Sequence, residues 1–546
     1  MNPVARCSEC GFLFAGTSND IDSDSISESF AVRVDTTHEY DRLLNSNDTP
    51  DEDRDLKLVD SVVSQTEACL GRLDDHITRL RTRLKQLEDQ QRLLSNYLAR
   101  NKSILSPLRR MPPEILLEVF SWTLSPILAV RRGGSFNVNE PPWILGHVSS
   151  RWRAVALAAP SLWSMVALNY TAPVDDRSRT NSRSMLETQL ARARTLKVHF
   201  YGSEIYETQP QTEMFEFLAA HSTRWEELSI SLTSDLVPLL ASLRGRIPLL
   251  RRLWLQWDSS RSLKNVESIE CFDAAPSLTD VGVYNEYAFI PMRFPVRQLT
   301  RYQLDGSWQT HKRFLEHARH LVEVRIDVCF SITPWNDSDE IIEVLSLRRL
   351  YVKDPKVLNH LRVPALEEIA LCCTHADWES GDNSYLMNLQ SLVARSSCLL
   401  RRLCVKGLIP AEATVGILHG LPSILEFVII TNGYLSSTEA ETLMESLTDV
   451  SEDTTVAPQL AYLFVGCENG SSIDYEMYLK MISSRWEADH CALHSAALLT
   501  DSDPGPDDET LLALQKLRYK GVDLLLLDGA EASEMIGGWT YTSLWN

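Results

Sequence analysis

The sequence predicts an α/β protein in three parts: a long N-terminal helix, a small all-α helix pair, and an irregular array of strand-and-helix repeats. Three observations predict it. Residues 56–98 carry an unbroken 3-4 spacing of apolar positions, residues 106–164 hold two helical patterns opened by prolines, and short strand-like runs recur from about residue 190. A length of 546 residues gives room for two or more domains, and 44% hydrophobic content supports a sizeable buried core.

Ahead of these parts, residues 1–55 contain four basic side chains against thirteen acidic ones, net −9, and include the run TSNDIDSDSISES. Such a composition buries too little apolar area to offset chain entropy, which predicts a disordered acidic arm over 1–55. A long helix of coiled-coil type is then expected over 56–105. Its seam runs through Leu56, Val59, Val63, Thr66, Leu70, Leu73, Ile77, Leu80, Leu84, Leu87, Gln91, Leu94 and Leu98, and eleven of these thirteen are apolar. A seam this narrow needs a second helix to cover it. A second copy of the chain, making a homodimer through 56–98, a heterologous helix, or the protein's own body would each serve. Gly71, Thr66 and Gln91 weaken the pattern.

The helix pair is expected over 106–165. Proline disfavours helical geometry in the residue before it, so the long helix should stop ahead of Pro107. Pro112 and Pro113 stand where a new helix begins, with Glu114 favoured at its positive end and Ile115, Leu116, Val119 and Phe120 as its apolar face. A loop through Gly133 and Gly134 to Pro141 leads to a second helix starting near Pro142. Leu145, Val148, Trp152, Val155 and Ala159 form its stripe, and PSLW at Pro160 to Trp163 ends it. The uncharged stretch from Ala154 to Val174 is long enough to span a bilayer. Pro160, Ser161, Ser164, Asn169 and Pro173 interrupt it, so it reads as a buried helix and a turn, with no membrane association.

Over 190–546 the spacing apolar-x-x-apolar-x-apolar recurs. It is met by Trp225/Leu228/Ile230, Leu250/Leu253/Leu255, Leu278/Val281/Val283, Leu299/Tyr302/Leu304, Leu321/Val324/Ile326, Leu347/Leu350/Val352, Leu366/Ile369/Leu371, Leu400/Leu403/Val405, Leu425/Val428/Ile430 and Leu460/Leu463/Val465. Pro248, Pro276, Pro364 and Pro458 each stand two residues ahead of a match, as stops between a helix and the next strand. From Leu250 to Leu366 the matches are spaced by 28, 21, 22, 26 and 19 residues. That spacing resembles leucine-rich repeats. HKRFLEHARH before Leu321 and EIIEVLSLRR around Leu345 look helical, so an irregular leucine-rich-repeat-like α/β solenoid is expected as a recognition domain. The turn residue of such repeats, Asn or Cys, occurs only as Cys329.

A net charge of −21 argues against nucleic-acid or anionic-membrane partners and leaves a protein partner as the default. The start MNPVARCSECGFLF has no signal-peptide pattern, and eleven scattered cysteines suit a reducing cytoplasmic or nuclear setting. Phosphate-binding loops, the G-x-S-x-G elbow and H-E-x-x-H are missing, so neither enzyme activity nor a cofactor is expected. Cys7 and Cys10 form half of a zinc-ligand set without the other half, and no metal is expected there. The basic residues Arg109, Arg110, Arg131, Arg132, Arg151 and Arg153 read equally as solvated faces or as a patch attracting an acidic protein surface.

MPPEILLEVF followed by VSSRWRAVALAAPSLW resembles an F-box. Pro112, Glu114, Ile115, Leu116, Val119 and Phe120 match the first half of that pattern, and Val148, Trp152, Arg153, Leu162 and Trp163 the second. Met111 replaces the leading Leu, Ser149 stands where the family has Cys, and the connecting loop is longer than usual. With a heptad helix before it and the repeats behind, the layout is similar to a large group of fungal F-box proteins. That resemblance implies a substrate-recognition subunit whose F-box helices bind the Skp adaptor of a cullin-RING ubiquitin ligase, while the C-terminal region selects a protein substrate of unknown identity. By analogy Pro112, Ile115, Leu116, Phe120 and Val148 would be adaptor anchors, each with an internal core contact as the competing reading. Trp152 and Trp163 are expected in the core. A coiled-coil scaffold that carries an F-box-like pair without joining a ligase is the rival, and an enzyme lacking short motifs is the third reading.

Overall fold

The structure, a computed structural model, describes residues 4–6, 13–15, 43–47, 53–124, 138–171, 176–206, 208–263, 266–285, 287–330, 341–373, 384–407, 410–433, 436–451, 455–471, 473–501 and 506–539. The chain divides into two units, Met1–Pro112 and Pro113–Asn546.

In the first unit, β1 (Val4–Arg6) and β2 (Leu13–Ala15) form an antiparallel pair within the arm expected to be disordered. Cys7, Cys10 and the whole run TSNDIDSDSISES lie outside the described residues. A 52-residue helix spans Asp53–Ile104, about 78 Å at 1.5 Å per residue. Leu56, Val63, Leu70, Leu80, Leu84, Leu87, Leu94 and Leu98 of its seam are all exposed. Gly71 lies on open surface, with nothing within 4 Å of where a Cβ would stand. Pro107 opens a short separate helix, Pro107–Arg110.

The second unit begins with the helix pair and continues into one large sheet. Its strands are β3 (Met165–Asn169), β4 (Leu196–Tyr201), β5 (Trp225–Leu232), β6 (Arg252–Trp257), β7 (Asp280–Tyr284), β8 (Arg301–Gly306) and β9 (Glu323–Val328). After β10 (Ile342–Glu343), which pairs with β12 (Leu361–Arg362) in a separate two-stranded sheet, come β11 (Arg349–Val352), β13 (Glu368–Cys373), β14 (Arg402–Gly407), β15 (Glu426–Asn432), β16 (Tyr462–Glu468), β17 (Ser495–Thr500) and β18 (Asp523–Asp528). The large sheet holds 14 parallel strands, each beside its chain neighbours. Parallel pairing demands crossovers, and these run from a 17-residue helix, Asp176–Arg192, to the brief 3-10 turn Val296–Gln298 between β7 and β8. Among the described residues no helix is long and apolar enough to cross a membrane; Ala154 to Thr171 is a helix end, a 3-10 turn and β3.

This 14-stranded parallel sheet with helices is an α/β fold, and it replaces the leucine-rich-repeat-like solenoid expected from the sequence. The apolar template located strands, yet it carried no information on how the chain returns between them. The missing turn residues and the uneven spacings express that irregularity. Of EIIEVLSLRR, expected to be helical, residues 341–349 form β10, a turn and the first residue of β11, because Ile342 and Glu343 pair with Leu361 and Arg362. At β15 the template slips by one residue. Ile424, Phe427 and Ile429 are the in-register core positions, with Phe427 opposite Leu403, whereas Leu425 is exposed. Val428 and Ile430 are buried on the opposite face, and a strand apolar on both faces has no alternation to fix its frame.

A row of charges crosses ten strands near their N-terminal ends. Lys197, Glu227, Arg252, Asp280, Arg301, Glu323, Arg349, Glu368, Arg402 and Glu426 are register partners in turn, and their signs alternate without exception. From Glu227 onward each neighbouring pair is in ion contact, including Arg301 to Glu323 at 3.6 Å, Arg349 to Glu323 at 3.3 Å, Arg349 to Glu368 at 3.1 Å and Arg402 to Glu426 at 2.6 Å. Opposite charges across neighbouring strands attract, and exchanging two adjacent strands within the row would set like charges side by side.

Candidate docking surfaces

The helix pair consists of a ten-residue helix, Pro113–Trp122, and a second arm that breaks in the middle. Where the sequence predicted one helix from Pro142, there is a short helix, Leu145–Val148, then Ser149 in extended geometry, then a helix over Ser150–Ala158. The cause is Ser149 itself. Its Oγ accepts a hydrogen bond from the Trp152 N–H at 3.1 Å, an N-cap worth about 1 kcal/mol. The residue that departs from the F-box pattern therefore starts the helix that carries Trp152 and Arg153.

Leu116 and Phe120, one turn apart, are fully buried, and the Phe120 ring lies 4.8 Å from that of Trp152. Trp163 is buried too: its Nε1 donates to the Ala156 carbonyl at 2.8 Å, Trp143 meets it edge-on at 5.0 Å, and the Arg192 guanidinium sits 4.3 Å over its ring. Trp163 is thus a core residue, while Trp152 is half-buried and packs on the core through Phe120. The adjacent helical face points outward. Ile115 is 52% exposed, Val119 39% and Trp122 81%, at i, i+4 and i+7, and Val148 on the second arm is 55% exposed.

The five residues named from the sequence therefore separate. Ile115 and Val148 present apolar surface, while Leu116 and Phe120 present none, because they are the core that holds the helices together. Pro112 is exposed at the end of the first unit. The sequence reading missed Trp122, although the i, i+7 spacing from Ile115 carries it onto the same stripe. Of the basic residues, Arg153 donates locally to the Gly146 carbonyl at 2.7 Å, and Arg131 and Arg132 lie outside the described residues.

The ladder-bearing face of the sheet is the second surface. Two residues beyond the ladder stand Trp254, Gly282, Gln303 and Arg325, with side chains on the same side. The Trp254 indole lies against Gly282, where a Cβ would fall 2.1 Å from its ring, so any larger residue would have to displace it. The Arg325 guanidinium covers Tyr351 at 4.1 Å. Further along, buried Asp305 accepts from the Asn285 N–H at 3.1 Å, beside an Asp327–Lys353 ion pair at 3.0 Å.

Burial pushes the Asp305 carboxyl from its ordinary 3.8 up to about 6; Asp327 pushes the same way, against the Asn285 N–H, Arg325 and Lys353. A raised folded-state value means that the folded protein binds this proton more tightly than the unfolded chain does. Stability is therefore lost as pH rises from about 4 to about 6, and the full penalty remains above that range. Asp305→Asn is expected to be neutral below about pH 4 and to stabilise by about 2–3 kcal/mol near neutral pH. Urea midpoints at both pH values check this, and an equal effect at the two would remove Asp305 as the cause.

Among the described residues no group of three or more His, Cys, Asp or Glu is placed to hold a metal. The described cysteines are unpaired, and burial pushes the thiols of Cys271, Cys329 and Cys404 up to about 12. They act as small apolar residues with little thiolate. Compared with models of protein families and with curated proteins, the chain gives no match.

Proposed function

We propose that the protein is a non-catalytic substrate-recognition subunit of a Skp-cullin-F-box ubiquitin ligase, working in the cytoplasm or nucleus. One observation carries this reading: the exposed Ile115, Val119, Trp122 and Val148 of the helix pair, backed by buried Leu116 and Phe120 with the half-buried Trp152 ring on Phe120. A small apolar patch on a firmly packed base is the form that a docking hot spot takes. The Skp-type adaptor seats on that patch, and the ladder-bearing face of the sheet holds the target protein. Unpaired cysteines support a reducing compartment.

The rival scaffold reading draws on the exposed heptad seam. Its a positions, Leu56, Val63, Leu70, Ile77, Leu84, Gln91 and Leu98, mix Leu with two β-branched residues, so the seam fits a second copy of the chain, making a homodimer through 56–98, or a heterologous helix. Dimerisation is compatible with either role, so adaptor binding decides between them. In co-purification with the adaptor, Ile115→Asp and Val148→Asp are expected to weaken binding at least about 30-fold. Neither should shift the thermal midpoint, because both positions are exposed. Full binding by the folded double variant would leave the scaffold reading standing. Phe120→Asp is a poor probe, since it empties the core of the pair.

A further inference from the structure

We propose that the apolar half of the ladder-bearing face is a recognition site for a partner's amphipathic helix, and that the chain's own helix Gly529–Trp539 occupies it as a displaceable stand-in. The inference stands on this face alone and not on adaptor docking; it assigns a chemical class to the target.

The two halves of the face differ in chemistry. Toward β4 to β9 the rows beyond the ladder carry His199, Ser229, Gln303, Arg325, Asp305 and Asp327. From β11 onward the row two residues beyond the ladder turns apolar, as Tyr351, Ala370, Cys404 and Val428; in the next row Lys406, paired with Glu468, stands between Cys372 and Ile430, and Leu499 follows, with Ala532 and Ile536 of the helix packed into this cluster. These rows lie on the side of the sheet away from core positions such as Leu403 and Phe427, so their apolar character serves the helix that lies on them.

The fit is specific. Gly466 lacks a side chain where a Cβ would lie 2.9 Å from Ile536 and 3.0 Å from Trp539. Beside it the Trp539 indole stacks on Phe464, centroids 5.5 Å apart and planes within 13°. Arg402 of the ladder donates twice, at 3.1 Å, to the Trp539 carbonyl. A cation at the negative end of a helix favours that end and fixes its direction. The recognised pattern is therefore small-x-x-x-Ile-x-x-Trp, with residues 532, 536 and 539 on one stripe and Glu531, Ser533 and Glu534 turned to solvent. Few anchors in a groove are the means by which a helical peptide docks and can be exchanged. Gly529, at φ +60°, makes the reversal from β18 into the helix.

The probe is a fluorescent synthetic peptide of residues 529–539, added to the full chain and followed by anisotropy. A short tether holds the resident helix at an effective concentration on the order of mM, so wild type should bind the peptide weakly. Ile536→Ser with Trp539→Ala loosens the resident helix and leaves the face intact. That variant is expected to bind at least about tenfold more tightly, and adding Arg402→Met should reverse the gain. A peptide carrying the same two substitutions should not bind. Equal affinity for wild type and a folded variant overturns the proposal. If the variant fails to fold, hydrogen exchange on wild type decides: excess peptide should speed exchange over 529–539 while 426–432 stays protected, and unchanged exchange over 529–539 overturns it.

Discussion

Glu323→Lys is expected to destabilise the second unit by about 3–5 kcal/mol, among the largest effects of any surface-proximal substitution in this protein. Glu323 is 5% exposed and stands between Arg301 and Arg349, at 3.6 and 3.3 Å. Burial pushes its carboxyl up and the two guanidinium groups oppose that shift, so the charge is tolerated because its partners are in place. Lysine there would set three cations on three adjacent strands. Glu323→Gln removes the attraction without adding repulsion and should cost about half as much. Urea unfolding of both, at low and high salt, separates the contributions: salt should rescue part of the Lys variant's loss, since Arg349 is partly in solvent. Equal losses for Lys and Gln would mean that charge alternation has no part in holding this order of strands.

The second large effect lies away from the ladder. Arg485, in the helix Tyr475–Glu487, is fully buried, and it donates from Nη1 to the carbonyls of Leu447 at 3.1 Å and Val456 at 3.0 Å and from Nη2 to that of Ala457 at 2.6 Å. Burial lowers its pKa, and three carbonyls take the place of solvent around the cation. Leu447 ends one connecting helix, while Val456 and Ala457 lead into the turn before β16. One side chain therefore fastens two crossovers. Arg485→Ala takes the arginine donor from three carbonyls, of which Ala457's keeps the Leu460 N–H, and opens a cavity, an expected loss of about 3–5 kcal/mol. Arg485→Lys should recover little, because an ammonium lacks the planar fork that reaches carbonyls on two sides. Chemical denaturation checks both, and a near-neutral Ala variant would show that the turn holds without the arginine. Arg395 repeats the device on Leu358 and Leu361, and Arg224 on Leu190 and Ala193.

Much of this was legible in residue order, and the limits were physical. Alternating apolar pairs such as Leu253/Leu255 and Ile369/Leu371 located strands because alternation follows directly from the pleat. They could not reveal the architecture, since sheet size and strand order depend on how each crossover returns. The ladder was readable: the residue just before the middle apolar position is Arg252, Asp280, Arg301, Glu323, Arg349, Glu368 and Arg402 in successive matches. Reading apolar positions alone passed over it. The slip at Leu425 had another origin, because Val428 and Ile430 face Ile536 and Ala532, a cover supplied from about a hundred residues away. At the helix pair the sequence marked an apolar face, but 3.6-residue periodicity gives a broad stripe. Only packing, of Phe120 against Trp152 among others, separates buried Leu116 and Phe120 from Ile115 and Trp122 outside. Ser149 looked like a departure from a motif until its hydroxyl was seen to cap a helix.

The proposed role rests on the outward stripe of the helix pair, Ile115, Val119, Trp122 and Val148, as the docking place of a Skp-type adaptor. Hydrogen exchange of the full chain, with and without a saturating Skp-type adaptor, tests that most directly. Protection is expected over residues 113–122 and 145–148, with exchange across strands 225–232 to 523–528 unchanged. Exchange unaltered at 113–122 and 145–148, with adaptor in excess and the chain folded, would contradict the account.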